Sequence, residues 1–450
     1  MTSGTVYNLA MAWTRRKSPT AGVFVREPLC LSVAALVWAL TVTSWAQPHG
    51  SGGVNRPEHL AKPYVVLVSL DGFKPEYLDR FHLPNLGRVM ARGVRARAMV
   101  PVFPTLTFPN HYSLVTGLRP ARHGIVSNNF WDPERARKYS MSDGTGVTDG
   151  TWYGGEPIWV TAETQGMVAA CFFWPGSEAA IKAVRPTFTT PYDGKVPNGE
   201  RVKTVIDWLR MPRERRPHLI TLYFSDVDTA THRGPLDSPD VEKAVRSVDV
   251  AIGALLDGVD ALPIRNRVNL LITSDHGMVD TTQAQSVALE SVLLPHGMSE
   301  ITQSFGGPVA SLHLRSGILR AAAIRDEINA TLQHGRAYRR GELPERFHYR
   351  GNPRAGDVVV VMDESWTLRT PGQRQGSLER WGQHGWDNGL PSMRATFLAV
   401  GPGIRRGARI GDVRNIDVYS LMTELLGLRA ARGIDGRPGR IKAMISRQER

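Results

Sequence analysis

Cysteine is nearly absent from this sequence of 450 residues, which contains only Cys30 and Cys171. Cys30 falls in an N-terminal segment that we expect to be removed, and Cys171 is then left alone in an apolar run. A single cysteine cannot form an intrachain disulfide, so intrachain disulfide bonds are excluded from the mature protein. An exported protein without disulfides fits a bacterial periplasm better than an animal cell surface.

A comfortable membrane span is also missing at the N-terminus, because the apolar run Leu29–Val42 is too short. Basic residues at 15–17 precede this run, and the small residues Ser44 and Ala46 follow it. This order is typical of a secretory signal peptide, so we predict a signal over residues 1–46 and export to a bacterial periplasm or the medium. An uncleaved N-terminal anchor is the alternative. With the signal cleaved, no stable membrane span is expected.

Acidic residues are outnumbered, since 42 Asp and Glu stand against 55 Lys and Arg and give a formal net charge of +13. A basic surface steers anionic substrates inward. The arginines are scattered and no nucleic-acid motif accompanies them, so we expect no specific nucleic-acid binding. The hydrophobic content of 42% is that of a globular protein and excludes disorder for most of the chain.

Continuous apolar runs separated by helical patterns predict an α/β fold with buried parallel strands. In three places an apolar run is followed by a carboxylate at or just past the C-terminal end of the run. These places are Tyr64–Leu70 before Asp71, His218–Phe224 before Asp228, and Val268–Ser274 before Asp275. Open α/β sheets bind their ligands at the carboxyl ends of strands, so we expect the three carboxylates to share one site.

The predicted domain organisation follows from composition shifts along the chain. Residues 47–60 are rich in Gly, Pro and His and are predicted to form a linker. Residues 61–432 are predicted to form the catalytic domain, with a mixed α+β cap or insertion over 280–375. An arginine-rich tail occupies 433–450. The oligomeric state is left open by the sequence.

The proline-rich stretch Pro101–Asn128 holds the candidate nucleophile, Thr107, just ahead of a helical pattern that we predict over His111–Gly117. A hydroxyl there lies near free backbone N–H groups and the positive end of a helix dipole, which suits attack on an anionic phosphorus centre. The alternative is an ordinary threonine cap before a helix.

Histidines accompany the three carboxylates. Asp228 and His232 are four residues apart and project from one face of a helical turn, His276 follows Asp275, and His384 lies in a glycine-rich segment. Three carboxylates and three histidines without sulfur suit two zinc ions, with manganese or iron as alternatives. Two such metals can clamp the attacking and leaving oxygens of an in-line phosphoryl transfer. Each histidine can instead be a structural hydrogen-bonder, which is the role we expect for His111, His123 and His218.

The chain resembles the nucleotide pyrophosphatase/phosphodiesterase family of the alkaline phosphatase superfamily. The resemblance covers about residues 60–430 and rests on segments that occur in the family's order, namely VVLVSLDGFKPEYL, PTLTFPNHYSLVTGLRPARHGIVSNNFWDP, GGEPIWVTAETQG, FFWPGSEA, DVDTATHRGP, TSDHGM, HGWDN and DVYSLMTELLGL. It implies an alkaline phosphatase-like fold, with a central, mostly parallel sheet flanked by helices and a smaller α+β cap. One departure is Thr231, where the family often has glycine before a metal-binding histidine.

The resemblance also implies a role for each site residue. Thr107 would be the nucleophile and, with Asp71, Asp275 and His276, would hold one zinc. The second zinc would be held by Asp228, His232 and His384. Asn128 and the backbone N–H of Phe108 would bind a non-bridging phosphate oxygen, and Phe108 and Tyr192 would sandwich a nucleobase.

Cleavage of a nucleotide phosphodiester or pyrophosphate to a 5′-nucleotide through a covalent threonine intermediate is therefore the expected activity. The expected partner is a small nucleotide or phosphodiester substrate. A phosphomonoesterase or a phosphonate hydrolase with the same site is the near alternative, although no arginine can be assigned to a dianionic phosphoryl group. A catalytically silent binding protein is the alternative of another class. A sulfatase is disfavoured, because it needs Cys or Ser at position 107.

Overall fold

The computed structural model describes residues 51–373 and 377–446 of the chain. The predicted signal peptide, Cys30 and the end of the basic tail lie outside these residues. None of the helices in the described ranges is both long enough and apolar enough to span a bilayer.

The β-strands of the described residues, in chain order, are β1 (Tyr64–Leu70), β2 (Val94–Ala96), β3 (Met99–Val100), β4 (Asn129–Asp132), β5 (Arg137–Ser140), β6 (Ala169–Phe172), β7 (Phe188–Thr189), β8 (Leu219–Phe224), β9 (Val268–Thr273), β10 (Val279–Thr282), β11 (Ser286–Ala288), β12 (Ile301–Phe305), β13 (Val309–Leu314), β14 (Gly335–Arg339), β15 (Val358–Met362), β16 (Thr367–Arg369), β17 (Arg380–Gln383), β18 (Phe397–Val400), β19 (Ala408–Ile410) and β20 (Val413–Arg414).

The α-helices of the same residues are α1 (Tyr77–Arg80), α2 (Pro84–Arg92), α3 (Thr107–Thr116), α4 (Pro120–His123), α5 (Gly144–Thr148), α6 (Ile158–Thr164), α7 (Asn198–Arg210), α8 (Asp226–Thr231), α9 (Pro239–Asp260), α10 (Pro295–Met298), α11 (Ile318–Thr331) and α12 (Val418–Leu426).

An eight-stranded sheet in the order β19-β2-β18-β9-β1-β8-β6-β7 forms the centre of the fold. Its strand pairs are parallel except for those of β18, which runs antiparallel to both β2 and β9. Because β1 pairs with β8 on one side and with β9 on the other, the carboxyl ends of these three strands meet at one edge of the sheet. The predicted α/β fold with a mostly parallel sheet is confirmed.

Helices cover both faces of the sheet. Val65 and Leu67 of β1 pack in one hydrophobic cluster with residues of α3, α6 and α12. Val66 and Val68 point the other way and pack in a second cluster with residues of α2, α7 and α9. Burial on both faces explains why β1 is a continuous apolar run rather than an alternating one. Each such side chain contributes roughly 1.5–3 kcal/mol when it is fully buried.

A smaller antiparallel sheet, β12-β13-β15-β14, lies within the predicted insertion of 280–375. It has a hydrophobic cluster of its own, in which Leu312 and Val360 of the sheet pack with Ile324 and Ile328 of α11. The domain boundaries proposed from the sequence stay predictions.

Two local expectations from the sequence differ from the structure. The segment Val94–Val100 predicts a single strand, and the residues 130–157, which are rich in Gly, Asp and aromatics, predict a loop. The predicted strand Val94–Val100 is divided into β2 and β3, because the chain turns to a new partner and the Met99 N–H donates to the Ala395 carbonyl. The predicted loop over 130–157 contains the β4–β5 hairpin, where Phe130 and Tyr139 face each other across the strands with ring centroids 4.8 Å apart. A segment rich in turn-forming residues does not reveal that two of its aromatic side chains pair across neighbouring strands, so its composition alone does not predict this hairpin.

Residues 51–60, which belong to the predicted linker, are held against the domain. Asn55 is buried, and its side chain donates to the carbonyls of Arg213 and Arg216 at 3.1 and 2.8 Å. The same side chain accepts from the Val168 N–H at 2.8 Å, at the start of the run that forms β6. This one amide therefore satisfies three backbone groups of the domain.

Replacement of Asn55 by alanine is expected to lower the free energy of unfolding by roughly 2–4 kcal/mol, because it leaves buried backbone groups without partners. Val54→Ala is the matched control, since Val54 is 49% exposed, and its effect is expected to stay within about 0.5 kcal/mol. Urea unfolding followed by tryptophan fluorescence measures both. Equal effects of the two changes would mean that the segment is not anchored through Asn55.

Candidate active site

The helix that carries Thr107 begins at that residue and ends at Thr116. The preceding Leu106 is extended and makes no side-chain cap, so Thr107 lies inside the first turn and is not a capping threonine. The predicted start at His111 is too late by one turn, because Pro109 is compatible with a first helical turn. The helix stops at Gly117, whose φ of 65° is favourable only for glycine or a few polar residues.

The first predicted cluster assembles around the Thr107 hydroxyl. The Thr107 Oγ1 lies 3.4 Å from the His276 Nε2. The same Nε2 lies 2.9 Å from a carboxylate oxygen of Asp275 and 3.5 Å from one of Asp71. Asp71, Asp275 and His276 are fully or almost fully buried. The four residues expected to share one metal are therefore brought together.

The second predicted cluster lies beside the first. Asp228 and His232 are on and just after α8, and the His232 Nε2 lies 3.3 Å from the Asp228 Oδ1. The His384 Nε2 lies 3.7 Å from the same oxygen. The rings of His384 and His276 stack with centroids 3.5 Å apart, which joins the two clusters. Thr231 does not disturb the turn, because it is buried and its hydroxyl donates to the Asp228 carbonyl at 2.8 Å.

Three buried carboxylate oxygens in these clusters have no hydrogen-bond partner among the residues that the structure describes. They are the Oδ1 of Asp71, the Oδ1 of Asp228 and the Oδ2 of Asp275. Burial of an acceptor without a partner is costly, and burial of an unpaired carboxylate more so. A cation bound between the carboxylates would satisfy all three oxygens, so the donor set fits a metal site.

The close packing of charged groups in the two clusters shifts the pKa values of their carboxyl groups and histidines. Burial, and then the charges of Asp275 and Asp228, raise the pKa of Asp71 well above its ordinary value. Burial alone would also raise the pKa of Asp228 and Asp275, but the neighbouring histidines outweigh it and the pKa of both is lowered. The histidines respond in turn. Burial opposes protonation of His232 and His276, yet Asp228 and Asp275 raise their pKa above 6.5.

Two histidines have their outer nitrogen fixed by a carbonyl. The His276 Nδ1 donates to the Gly277 carbonyl at 2.9 Å, and the His384 Nδ1 donates to the Thr105 carbonyl at 2.9 Å. Since a carbonyl can only accept, each Nδ1 carries a proton. In the neutral ring, the Nε2 is therefore a lone-pair donor directed at the carboxylates, as metal-binding histidines require.

His111 has a more specific place than sequence reasoning gives it. Its Nδ1 donates to the Thr107 carbonyl at 2.9 Å, and its Nε2 accepts from the Ser69 hydroxyl at 2.8 Å. Burial lowers its pKa, which keeps the ring neutral as this donor–acceptor pattern needs. Asp71, His111 and Asp275 are close enough to form a metal-binding group. With both ring nitrogens engaged, however, His111 has no lone pair left for a cation, so we assign it a supporting role.

Asn128 faces the start of α3. Its Oδ1 accepts from the Phe108 N–H at 2.9 Å, which leaves the two amide protons of Asn128 to bind elsewhere. The Phe108 N–H, expected to bind a phosphate oxygen itself, is thus engaged in orienting Asn128. The asparagine amide is then the donor of this pair that is free to reach a ligand.

A cleft of about 480 Å³ adjoins the clusters and includes Asp71, Thr107 and Asp228 in its lining. Phe108 and Tyr192 both line it, and Tyr192 is 52% exposed. No ring contact joins these two aromatics within the described residues, whereas Tyr192 packs edge-on against Phe173 at 5.2 Å. The space beside both rings can therefore take a flat ligand.

Several supporting residues escape sequence reasoning. Tyr223 in β8 donates to the Asp71 Oδ2 at 2.5 Å, and Glu178 accepts from the Tyr192 N–H at 3.2 Å. Tyr223 looks like any other member of an apolar strand. Glu178 belongs to the family segment FFWPGSEA, but nothing in that segment assigns it a contact with Tyr192. His123 and His218 have the structural role expected of them, since both are buried and bond to Ser113 and to the Pro63 carbonyl, respectively.

Comparison with known proteins adds independent information. A sequence profile described as type I phosphodiesterase/nucleotide pyrophosphatase matches residues 65–387. The human ectonucleotide pyrophosphatase/phosphodiesterase family member 1 is 37% identical over 392 residues, which are 83% of this chain and 41% of the human protein. The venom phosphodiesterase CdcPDE of Crotalus durissus collilineatus is 34% identical over 415 residues, which are 90% of this chain and 49% of the venom protein. The chain spans less than half the length of these curated relatives.

Solved structures agree. The murine ectonucleotide pyrophosphatase/phosphodiesterase 5, as an inactive threonine-to-alanine variant in complex with AMP, superposes with a TM-score of 0.79 at 30% identity. The match covers 86% of this chain and 100% of the murine chain. The human counterpart superposes with a TM-score of 0.78 at 31% identity and covers 85% of this chain and 100% of the human chain.

Binding of a divalent cation such as Zn²⁺ is expected to weaken as the pH falls. Protons compete with the cation for His232 and His276, and the raised pKa of both places this competition above pH 6.5. Affinity should therefore rise through neutral pH and level off above the raised pKa values. Competition against a chromophoric zinc chelator between pH 5.5 and 8.5 measures it.

His232→Gln and His276→Gln should each weaken zinc binding, by about tenfold or more. His296→Gln is the matched control, since His296 is 61% exposed in its side chain and lies outside both clusters. An affinity that is constant across the pH range, or that falls equally in all three variants, would contradict the assignment of the clusters.

Proposed function

The chain belongs to the type I phosphodiesterase/nucleotide pyrophosphatase family of the alkaline phosphatase superfamily, and we propose that it hydrolyses nucleotide phosphodiester or pyrophosphate bonds to a 5′-nucleotide. The observation that carries the proposal is the position of the Thr107 hydroxyl. It stands at the start of α3, in the cleft wall, 3.4 Å from the His276 Nε2, which itself lies 2.9 and 3.5 Å from carboxylate oxygens of Asp275 and Asp71.

In this proposal Thr107 attacks the phosphorus atom. Its hydroxyl proton is lost to solvent as Oγ1 bonds to phosphorus and the bond between phosphorus and the leaving oxygen breaks. Water then attacks the nucleotidyl-threonine, the bond between phosphorus and Oγ1 breaks, and a proton from that water restores the hydroxyl. Asn128 supports the transfer, because its anchored Oδ1 leaves the amide protons free to bind a non-bridging oxygen as charge builds up there. The helix dipole of α3 favours the same negative charge.

The proposed cofactor is a pair of zinc ions. Asp71, Thr107, Asp275 and His276 would hold one, and Asp228, His232 and His384 would hold the other. Bound there, the two ions would lower the pKa of the attacking group and stabilise the leaving oxygen. The set of oxygen and nitrogen donors suits zinc, and manganese or iron are the alternative ions for the same set.

The cleft favours a diester over a monoester. Its lining contains no arginine or lysine among the described residues, and it includes Glu178 together with the site carboxylates. A phosphomonoester brings a second negative charge that such a lining does not balance, whereas a diester carries one. The phosphomonoesterase and phosphonate-hydrolase alternatives therefore have less support.

A nucleobase is the proposed occupant of the space beside Phe108 and Tyr192. Stacking on aromatic rings contributes roughly 1–3 kcal/mol per base and tolerates many bases. The AMP bound in the murine relative is consistent with a nucleotide ligand. The alternative of a silent binding protein is disfavoured because Thr107 and the six carboxylate and imidazole ligands are present and close together.

Export is the proposed location. The predicted signal lies outside the described residues, and the relatives are named as ectoenzymes or venom enzymes. These relatives are animal proteins, so the periplasmic part of the proposal rests on the cysteine count alone.

Thr107→Ala is expected to reduce hydrolysis of the nitrophenyl ester of thymidine 5′-monophosphate by about 10³-fold or more, because the attacking oxygen is removed. Activity of the unchanged protein should need zinc and should exceed activity on nitrophenyl phosphate. Release of nitrophenol, with and without added zinc, measures all of these.

Thr107→Ser keeps the hydroxyl and should keep much of the activity. Thr302→Ala is the control for a threonine change elsewhere, since Thr302 is exposed and lies in the cap sheet. A preference for the monoester would assign the site to a phosphatase. Full activity of Thr107→Ala would refute the proposed nucleophile.

The His111 ring is expected to position Thr107 through the Nδ1 contact. An asparagine amide can take the place of Nδ1 and donate to the Thr107 carbonyl, whereas a glutamine amide reaches towards the Nε2 position and Ser69. His111→Asn should thus keep kcat within about tenfold, and His111→Gln should lower it by about 10²-fold with little change in KM. Steady-state kinetics on the thymidine diester measures both.

A purely structural role for His111 predicts another result. Both variants would then lose kcat and thermal stability together, in proportion to the packing lost. Equal kcat for the asparagine and glutamine variants at equal melting temperature would also contradict the positioning role.

A further inference from the structure

A second cleft, of about 530 Å³, lies at the catalytic edge of the central sheet and shares no lining residue with the first. It is formed by the carboxyl ends of β2 and β19, which lie on the far side of the antiparallel strand β18 from the active site. Crevices at the carboxyl ends of parallel strands are where α/β sheets bind ligands. We propose that this cleft is a separate binding site for a ligand that bears a phosphoryl group.

Four arginines line the cleft, and two of them are already paired. Arg95 makes a two-bond ion pair with Asp79, and Arg97 is paired with Asp412 at 2.8 Å. Both carboxyl groups have a lowered pKa because of hydrogen bonds to these arginines, so both are ionised at neutral pH. These two pairs are electrically balanced and form the frame of the cleft.

The other two guanidinium groups are not balanced by a pair. The Nη1 of Arg394 is buried and has no hydrogen-bond partner. The side chain of Arg409 makes no hydrogen bond or ion pair within residues 51–373 and 377–446, although its charge helps to lower the pKa of Asp79. It is the register partner of Arg95 in the parallel pairing of β19 with β2, so the two side chains leave the same face of the sheet. With Glu76 as the third carboxylate, the cleft keeps one net positive charge.

These features favour an oxyanion. A guanidinium group offers two parallel N–H bonds that match two phosphate oxygens, and a buried N–H without a partner gains most from such a contact. The volume exceeds that of a single phosphate, which leaves room for a second phosphoryl or an organic group.

The cleft lies against the active site without being part of it. Its wall at Pro391–Arg394 is held by the residues that follow the site histidine, since Gly277 and Met278 donate to the carbonyls of Met393 and Ser392 at 3.0 and 3.1 Å. The opposite wall follows the Asp71–Gly72 turn and includes Glu76 and Asp79. The ligand would therefore bind beside the catalytic residues on segments continuous with theirs.

Calorimetric titration of the zinc-loaded protein with inorganic phosphate tests the proposal, with pyrophosphate as the second probe. We expect two binding events, one at the catalytic cleft and one at this cleft. Arg409→Gln should weaken the second event at least about tenfold, as the loss of a charge-assisted contact does. Arg406→Gln is the matched control, because Arg406 is exposed, lies three residues away and does not line the cleft.

The remaining variants separate the two sites. Asp228→Asn should weaken the catalytic event and leave the second one unchanged, whereas Arg394→Lys should weaken the second because a lysine keeps the charge but loses the planar fork. Tighter binding of pyrophosphate than of phosphate at the second event would identify a ligand with two phosphoryl groups. One binding event in the unchanged protein, or equal losses in Arg409→Gln and Arg406→Gln, would overturn the proposal.

Discussion

Mutual repulsion between three crowded carboxylates is the constraint on which the rest of the site depends. Asp71, Asp228 and Asp275 converge because three neighbouring parallel strands end at the same edge. Each leaves one oxygen without a hydrogen-bond partner in an interior of low dielectric, where an unpaired carboxylate costs several kcal/mol. The fold holds these groups in place, and only positive charge can make the arrangement favourable.

The surrounding residues can be understood as the means of keeping that arrangement rigid. Tyr223 donates to Asp71, and the carbonyls of Gly277 and Thr105 fix the rings of His276 and His384. His111 connects Ser69 to the Thr107 carbonyl. Each of these bonds sets the direction of a polar group towards the same centre. Rigid support of this kind is what allows charge to be stabilised without reorganisation during a reaction.

The sheet and the convergence of the candidate site residues can be predicted from the sequence to a large extent. Buried parallel strands appear as continuous apolar runs, and Asp71 and Asp275 follow such runs directly. The spacing of Asp228 and His232 likewise predicts a shared helical face. By contrast, the contacts of Tyr223 and His111 depend on side chains that meet across different elements. No local pattern distinguishes that tyrosine or that histidine from an ordinary core residue, so only the fold reveals them.

The single antiparallel strand has a consequence for how this architecture can vary. Because β18 runs against β9, the chain leaves β9 and enters β18 at the same edge, and the residues before β18 reach the site, as His384 does. The connection between these two strands never has to cross the sheet. Its length and content can change without any strand exchanging its partner, since longer loops cost little in closure entropy. The smaller sheet β12-β13-β15-β14 occupies this connection, so a segment with a sheet of its own is accommodated there without any change in the order of the central strands.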